Sequence, residues 1–250
     1  MSQYIEISRQ GAVQTIRMNR PEKKNAITRA MYSDMKNAMT AGEADDAIRC
    51  HVFLGVPGAF SAGNDMQDFL AYATTGGDMP EVIGFLETLA LLKKPVVSGV
   101  DGLAIGIGTT IHLHCDLTIA TPRSLFRTPF VDLGLVPEAA SSFLAPGIMG
   151  HQKAFALLAL GDDFSAEDAL SAGLIYKIVS EDDLELETLK LATRVASRAP
   201  EALQISRRLM KQTPDLVIAR IHEEAQLFSE RLRSNEAREA FVAFMTRKKS

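Results

Sequence analysis

KPVVSGVDGLAIGIG, residues 94–108, decides how this 250-residue chain is read. Pro95 to Val100 is apolar and β-branched and reads as a strand, bounded in front by a proline. Gly102, Gly106 and Gly108 make the next seven residues a glycine-rich turn that opens a helix over 109–114. A further apolar strand follows over 117–120. Upstream, 51–54 is a short buried strand and 55–68 is a loop rich in Gly, Ser, Asn and Asp. Residues 81–92 have helical spacing and stop before Pro95. Strands alternating with helices at this spacing predict stacked β/α units rather than a sandwich.

The ends of the chain fit this frame. Tyr4 to Ile7 alternates, Gln10-Gly11 turns, and Val13 to Met18 alternates again, so the N-terminus is a hairpin. Thr28 is a candidate cap for a helix running into the early forties, with Met31, Met35 and Met39 on its buried face. Beyond residue 150 helical patterns dominate: 152–160, 166–172, 182–197, 200–212 and 216–246, interrupted by one short strand over 175–179. The reading is an α/β core over 1–190 followed by a helical region over 191–250.

Composition excludes several classes. Hydrophobic residues make up 46% and charged residues 23%, which is ordinary for a globular protein and excludes a disordered or collagen-like chain. Twenty-seven Lys and Arg against 31 Asp and Glu leave a net charge of −4, with no global attraction to nucleic acid or to an anionic membrane. Cys50 and Cys115 are too few for a disulfide framework and fit a reducing compartment. The most apolar region, 96–120, is broken by Asp101, His112, His114, Asp116 and four glycines, which argues against a membrane span. The first residues carry no secretory pattern and the C-terminal RKKS no peroxisomal or lipidation address, so a cytoplasmic location is expected. No GxSxG elbow, P-loop or dinucleotide fingerprint is present. His112, His114 and Cys115 lack the spacing of a metal site and read as structural.

Two glycine-containing loops, 60–65 and 102–108, are where a ligand can approach the backbone closely and where two N–H groups can meet one developing oxyanion. On the residues alone this is weak, because glycines at turns are usually plain turn chemistry. The order of NRPEKKNA (19–26), FSAGND (60–65), KPVVSGVDGLAIGIG (94–108), CDLTIAT (115–121), LGLVPEAAS (133–141) and FSAEDALSAGLI (164–175) is far more specific. Together these segments closely resemble the enoyl-CoA hydratase/isomerase family, the crotonase superfamily.

The resemblance covers nearly the whole chain. It implies a crotonase-like spiral of ββα units, a helical C-terminal region that drives assembly into a trimer or a dimer of trimers, and an acyl-CoA thioester as ligand. Leu227, Phe228, Leu232, Phe241 and Phe244 are the apolar residues expected to serve that assembly. Carried over by position, the oxyanion donors fall on the backbone of Asn64 and Ile107, the adenine contact on backbone near Ala62, and phosphate contacts on Lys23 or Lys24 or on the basic C-terminus of a neighbouring subunit. Chain-length preference is expected to depend on residues between Phe69 and Phe85.

The acid–base residues separate the subgroups. Where hydratases of the family carry two glutamates, this chain has Thr110 and Phe130. Adding water across a double bond requires groups that deprotonate water and protonate carbon, and phenylalanine does neither. PEAAS after LGLV, and AIGIGTT before it, look like peroxisomal-type Δ3,Δ2-enoyl-CoA isomerases, in which the glutamate matching Glu138 is the base. On the residues alone Glu138 equally reads as a first-turn helix glutamate facing the macrodipole, and Asp65, which is positioned to cap the next helix, and Asp132 are the rival carboxylates. The expected activity is therefore an isomerase with coenzyme A entering as part of the substrate and with no metal or redox cofactor. A hydratase, another CoA-thioester lyase, or a CoA-binding protein without turnover are the alternatives.

Overall fold

The computed structural model describes residues 3–68, 79–211 and 213–247, with side chains to residue 243. The hairpin β1 (Ile5–Gln10) and β2 (Val13–Met18) leads into α1 (Arg29–Ala44), whose Thr28 cap accepts the Met31 N–H at 3.3 Å. From there each turn of the chain lays down one strand in each of two sheets. β3 (Cys50–Leu54) and β4 (Ala59–Ser61) are followed by α2 (Pro80–Leu91). β5 (Val96–Val100) and β6 (Leu103–Ile105) are followed by the helical turn α3 (Ile107–Thr110), and β7 (Leu117–Ala120) and β8 (Leu125–Arg127) by α4 (Ser141–Phe155). β9 (Phe164–Ser165), α5 (Ala166–Ala172) and β10 (Lys177–Ile178) complete the winding.

The sheet orders record the spiral: β1-β2-β3-β5-β7-β10 in the larger and β4-β6-β8-β9 in the smaller. Successive turns pair in parallel, while β1–β2 and β8–β9 are antiparallel. The central strands of the large sheet are buried on both faces, as parallel strands usually are. On β3, Cys50, Val52 and Leu54 pack with Leu184, Leu191 and Ala192 of α6 (Leu184–Ala196), whereas Phe53 faces the main core with Met31, Met35, Met39 and Phe85. The three methionines of α1 are fully buried, as their spacing predicted.

The helical region continues through α7 (Pro200–Met210), α8 (Pro214–Leu232) and α9 (Asn235–Arg247). The expected division at residue 190 falls inside α6. The long helix expected over 216–246 is two helices, broken at Arg233–Ser234. Nor are its apolar residues free for assembly: Phe228, Leu232 and Phe241 are buried in this chain's own core, and Leu227 is the exposed one of the described set. Folding α8 and α9 back onto the spiral uses that apolar face internally. No helix among the described residues is long and apolar enough to cross a membrane.

Candidate active site

The two glycine loops are brought together because β4 and β6, the strands that carry them, are neighbours in the small sheet. Their backbones nearly touch. A Cβ added at Gly108 would lie 2.8 Å from the Ser61 carbonyl oxygen, and one at Gly63, whose φ is +88°, would lie 3.0 Å from that of Ile105. Only glycine permits this approach without displacing main chain. Ile27 and Asn64 form a parallel bridge in which Ile27 N–H donates to Gly63 and Asp65 N–H to Ile27. The Asn64 N–H faces away from that bridge. Ile107 begins α3, where N–H groups lack intrahelical acceptors. Among the described residues, neither the Asn64 nor the Ile107 N–H donates to a backbone carbonyl.

Both residues line a cleft of about 1140 Å³. Lys23, Lys24 and Ala62 line it, as do Glu138, Phe130 and the buried rings of Phe228 and Phe241. All six residues assigned from sequence therefore share one cavity. Lys23 and Lys24 are exposed on it, and their loop is pinned by buried Asn25. The Asn25 Nδ2 group donates to the carbonyls of Met18, Ala59 and Phe60 at 3.0–3.2 Å, and its Oδ1 accepts the Arg20 N–H at 2.7 Å. The Ala62 N–H is already engaged with the Lys24 carbonyl at 2.8 Å, which leaves the Ala62 carbonyl for a ligand.

The carboxylates on the cleft differ sharply in environment. Asp65 accepts from Arg20 at 2.7 Å and from the N–H groups of Gln67 and Asp68 at 2.9 and 3.4 Å. Burial alone would raise its pKa, but these donors hold it below the usual carboxylate range. It is a structural cap, as the sequence favoured. Asp132 is half exposed and paired with Arg127 at 2.8 Å. Glu138 is buried, and among the described residues it forms no ion pair. Among the described residues, its carboxyl accepts one hydrogen bond, a long one of 3.4 Å from the Thr110 hydroxyl. Burial first, and then the nearby Glu224 carboxylate, push its pKa up to about 8, against the lowering effect of Thr110. A carboxyl tuned in this way is characteristic of a proton-transfer site.

Glu138 does not sit in the first turn of a helix. It precedes α4 and is followed by Ala139 and Ala140, both left-handed at φ 59° and 54°. Such conformations are costly for residues with a Cβ and persist where surroundings over-determine them. Here His114 Nε2 donates to the Ala139 carbonyl at 2.8 Å, and burial drives the His114 pKa down to about 4, so the ring is neutral. His112 bonds Ser98 at 3.0 Å. Both histidines serve packing, and among the described residues no three His, Cys, Asp or Glu side chains are placed to hold a metal ion.

Two site residues lay beyond sequence reasoning. Tyr32, on the apolar face of α1, donates its buried hydroxyl to Asn64 Oδ1 at 2.5 Å. Its pKa is raised well above the ordinary value by burial and, secondarily, by Glu138. Glu224 reaches the same region from α8. A tyrosine beside Met31 and Met35 reads as core, and Glu224 is one of several acids on a mixed helix.

Comparison with known proteins shows the family. The family model described as enoyl-CoA hydratase/isomerase matches residues 8–250. The chain belongs to that family. It is similar to Enoyl-CoA delta isomerase 2 of Rattus norvegicus, with 33% identity over 99% of this chain, which spans 64% of the rat protein. It is also 28% identical, over 98% of its length and 95% of the relative, to a probable enoyl-CoA hydratase of Rhizobium meliloti. Among solved structures, that of Pseudomonas aeruginosa OdaA superposes with a TM-score of 0.92 at 41% identity, covering 98% of this chain and 99% of that one. The ββα spiral expected from the motifs is thus the fold, and family members act on acyl-CoA thioesters.

Proposed function

We propose that this family member is a Δ3,Δ2-enoyl-CoA isomerase. The observation that supports it, among the described residues, is a buried carboxyl with a raised pKa and no ion pair, Glu138, on the cleft lined by Asn64 and Ile107, whose N–H groups have no backbone acceptors. The thioester oxygen is held between the N–H groups of Asn64 and Ile107, which stabilises the dienolate and acidifies carbon 2. Glu138 takes the carbon 2 proton of a 3-enoyl-CoA and returns it to carbon 4, giving the conjugated 2-enoyl-CoA. A raised pKa favours that return, because the carboxyl holds the proton long enough to deliver it to carbon. One group suffices for both transfers, so no metal or redox cofactor is required, and coenzyme A arrives with the substrate.

The hydratase reading is disfavoured by what stands near Glu138. Thr110 and Phe130 hold the positions where hydratases carry glutamates, and Phe130 is an apolar wall of the cleft. Lys23 and Lys24 at its edge suit the phosphates of coenzyme A, and the Ala62 carbonyl suits the adenine amino group. We further place the protein in the cytoplasm as a trimer or dimer of trimers. Two free cysteines fit the first, and exposed Val131, Ile148, Phe155 and Leu160 supply apolar surface for the second. Residues 69–78, within the segment expected to set chain length, lie outside the described residues.

Assaying the purified protein side by side with 3-enoyl-CoA and 2-enoyl-CoA tests this reading. Isomerisation much faster than hydration is expected. Rapid hydration without isomerisation would replace it with the hydratase reading, and acyl-CoA binding without either turnover would replace it with the binding-protein reading.

A further inference from the structure

The turn from Glu138 to Ser142 is held from outside by one side chain whose charge nothing in the proposed chemistry uses. Glu224 is buried on α8, 86 residues from Glu138 along the chain. Its Oε1 accepts the Ser142 N–H at 3.0 Å and the Ser142 hydroxyl at 2.5 Å. Its Oε2 is buried without a hydrogen-bond partner among the described residues. Ser142 lies in the first turn of α4, where a negative charge is favoured by the free N–H groups. Between Ser142 and Glu138 lie the two left-handed alanines, fixed on their other side by His114. A neutral acceptor such as glutamine would keep the Ser142 hydrogen bonds, so Glu224→Gln separates the effect of the charge from that of the clamp.

We propose that Glu224 is a positioning residue for Glu138: it clamps the strained turn through Ser142 and, as the second carboxylate of a buried pair, sets how tightly Glu138 holds its proton. This rests on the reading of Glu138 as the proton shuttle. The two carboxyls have unequal support. Glu224 has the Ser142 N–H, the Ser142 hydroxyl and the Arg220 guanidinium, which itself donates to Ser142 Oγ at 3.0 Å. Glu138 has Thr110 at 3.4 Å. Burial raises the pKa of both, but Glu224 has hydrogen-bond donors and a cation to oppose that rise, where Glu138 has Thr110 alone. Among the described residues, Tyr32 from α1 lies close enough for Glu138 to raise its pKa further and is neutral near pH 7, while the cation beside Glu224 is Arg220, itself paired with Glu223 at 2.9 Å. A fixed negative charge beside a proton shuttle favours the protonated form needed for delivery to carbon 4.

The test is a titration of the Glu138 carboxyl in the protein without substrate. It is followed by the infrared carboxyl stretch and assigned by its loss in Glu138→Gln. The wild-type midpoint is expected near 8. In Glu224→Gln, which keeps an acceptor for Ser142, the midpoint should fall by about one pH unit or more. The rising limb of the isomerase pH profile should fall with it while KM stays unchanged. An unchanged midpoint in a folded Glu224→Gln protein would overturn the proposal. Should that variant not fold, Ser142→Ala carries the test: it takes the hydroxyl donor away from Glu224 Oε1, so the Glu138 midpoint should move, and no movement overturns the proposal. The two readings fail separately. A wild-type protein that does not isomerise 3-enoyl-CoA removes the proposed activity, whereas the carboxyl titration decides the coupling in either case.

Discussion

Replacing Glu138 by Gln should stabilise the fold while removing the base. The substitution keeps the side chain's shape and an acceptor for Thr110, but it deletes a group that must give up a proton in a buried setting. Glu138 holds its proton more tightly in the folded chain, where its pKa is about 8, than at the ordinary value of 4.5. Between those values the native state carries the extra proton, so stability falls as pH rises and the loss is complete above pH 8. At about 1.4 kcal/mol per pH unit, the penalty reaches at most about 5 kcal/mol above pH 8 and about 3 kcal/mol at pH 7. For a chain of this size, about 3 kcal/mol corresponds to roughly 6–12 °C in Tm. Thermal melts of wild type and Glu138→Gln from pH 5 to 9 provide the assay. The two should differ least at pH 5 and separate progressively, with the variant more stable at pH 8. Parallel melting curves at every pH would refute the claim that Glu138 is a desolvated acid rather than an ordinary surface-type glutamate.

Other outcomes follow from the same site. The kcat/KM for isomerisation should rise about tenfold per pH unit below pH 8 and level off above it, because the free enzyme must present ionised Glu138; a flat profile from pH 6 to 9 would contradict this. Asp65→Asn breaks the ion pair with Arg20 and should cost about 1.5–3 kcal/mol in urea denaturation. Because the Asp65 pKa is lowered in the fold, that contribution is present at neutral pH and disappears as pH falls through the acid range, while turnover changes little. The double substitution Lys23→Glu, Lys24→Glu should raise KM for acyl-CoA substrates, with an effect that shrinks in high salt, and should leave kcat nearly unchanged.

Much of this site is written in local sequence. Gly63 and Gly108 are legible because a close backbone approach admits no other residue. Thr28, Met31, Met35 and Met39 announce a capped amphipathic helix by spacing alone. The strands of the small sheet are not legible. β4, β6 and β8 are three residues each and β9 is two, too short for alternation to register, and the first two sit inside loops that read as glycine turns. The start of α4 was missed because the preceding residues are left-handed alanines, a conformation no propensity favours. Phe228 and Phe241 look like assembly residues on an isolated helix, and only the fold-back of α8 and α9 turns them into walls of the cleft. Glu224 and Tyr32 enter the site solely through long-range packing, so their roles appear only once Asn64 and Glu138 are placed in space.

The central claim is that one carboxyl carries the proton between carbon 2 and carbon 4. Turnover of 3-enoyl-CoA by Glu138→Gln, measured together with its affinity for an acyl-CoA, tests this most directly. The account predicts a fall in kcat of roughly 100- to 10,000-fold, the usual contribution of a general acid–base group. Acyl-CoA affinity should hardly change, because the contacts assigned to Asn64, Ile107 and Ala62 use backbone and Lys23 and Lys24 lie elsewhere on the cleft. Near-wild-type turnover in the folded variant would contradict the account and move the search for the base to Asp132 or Asp65.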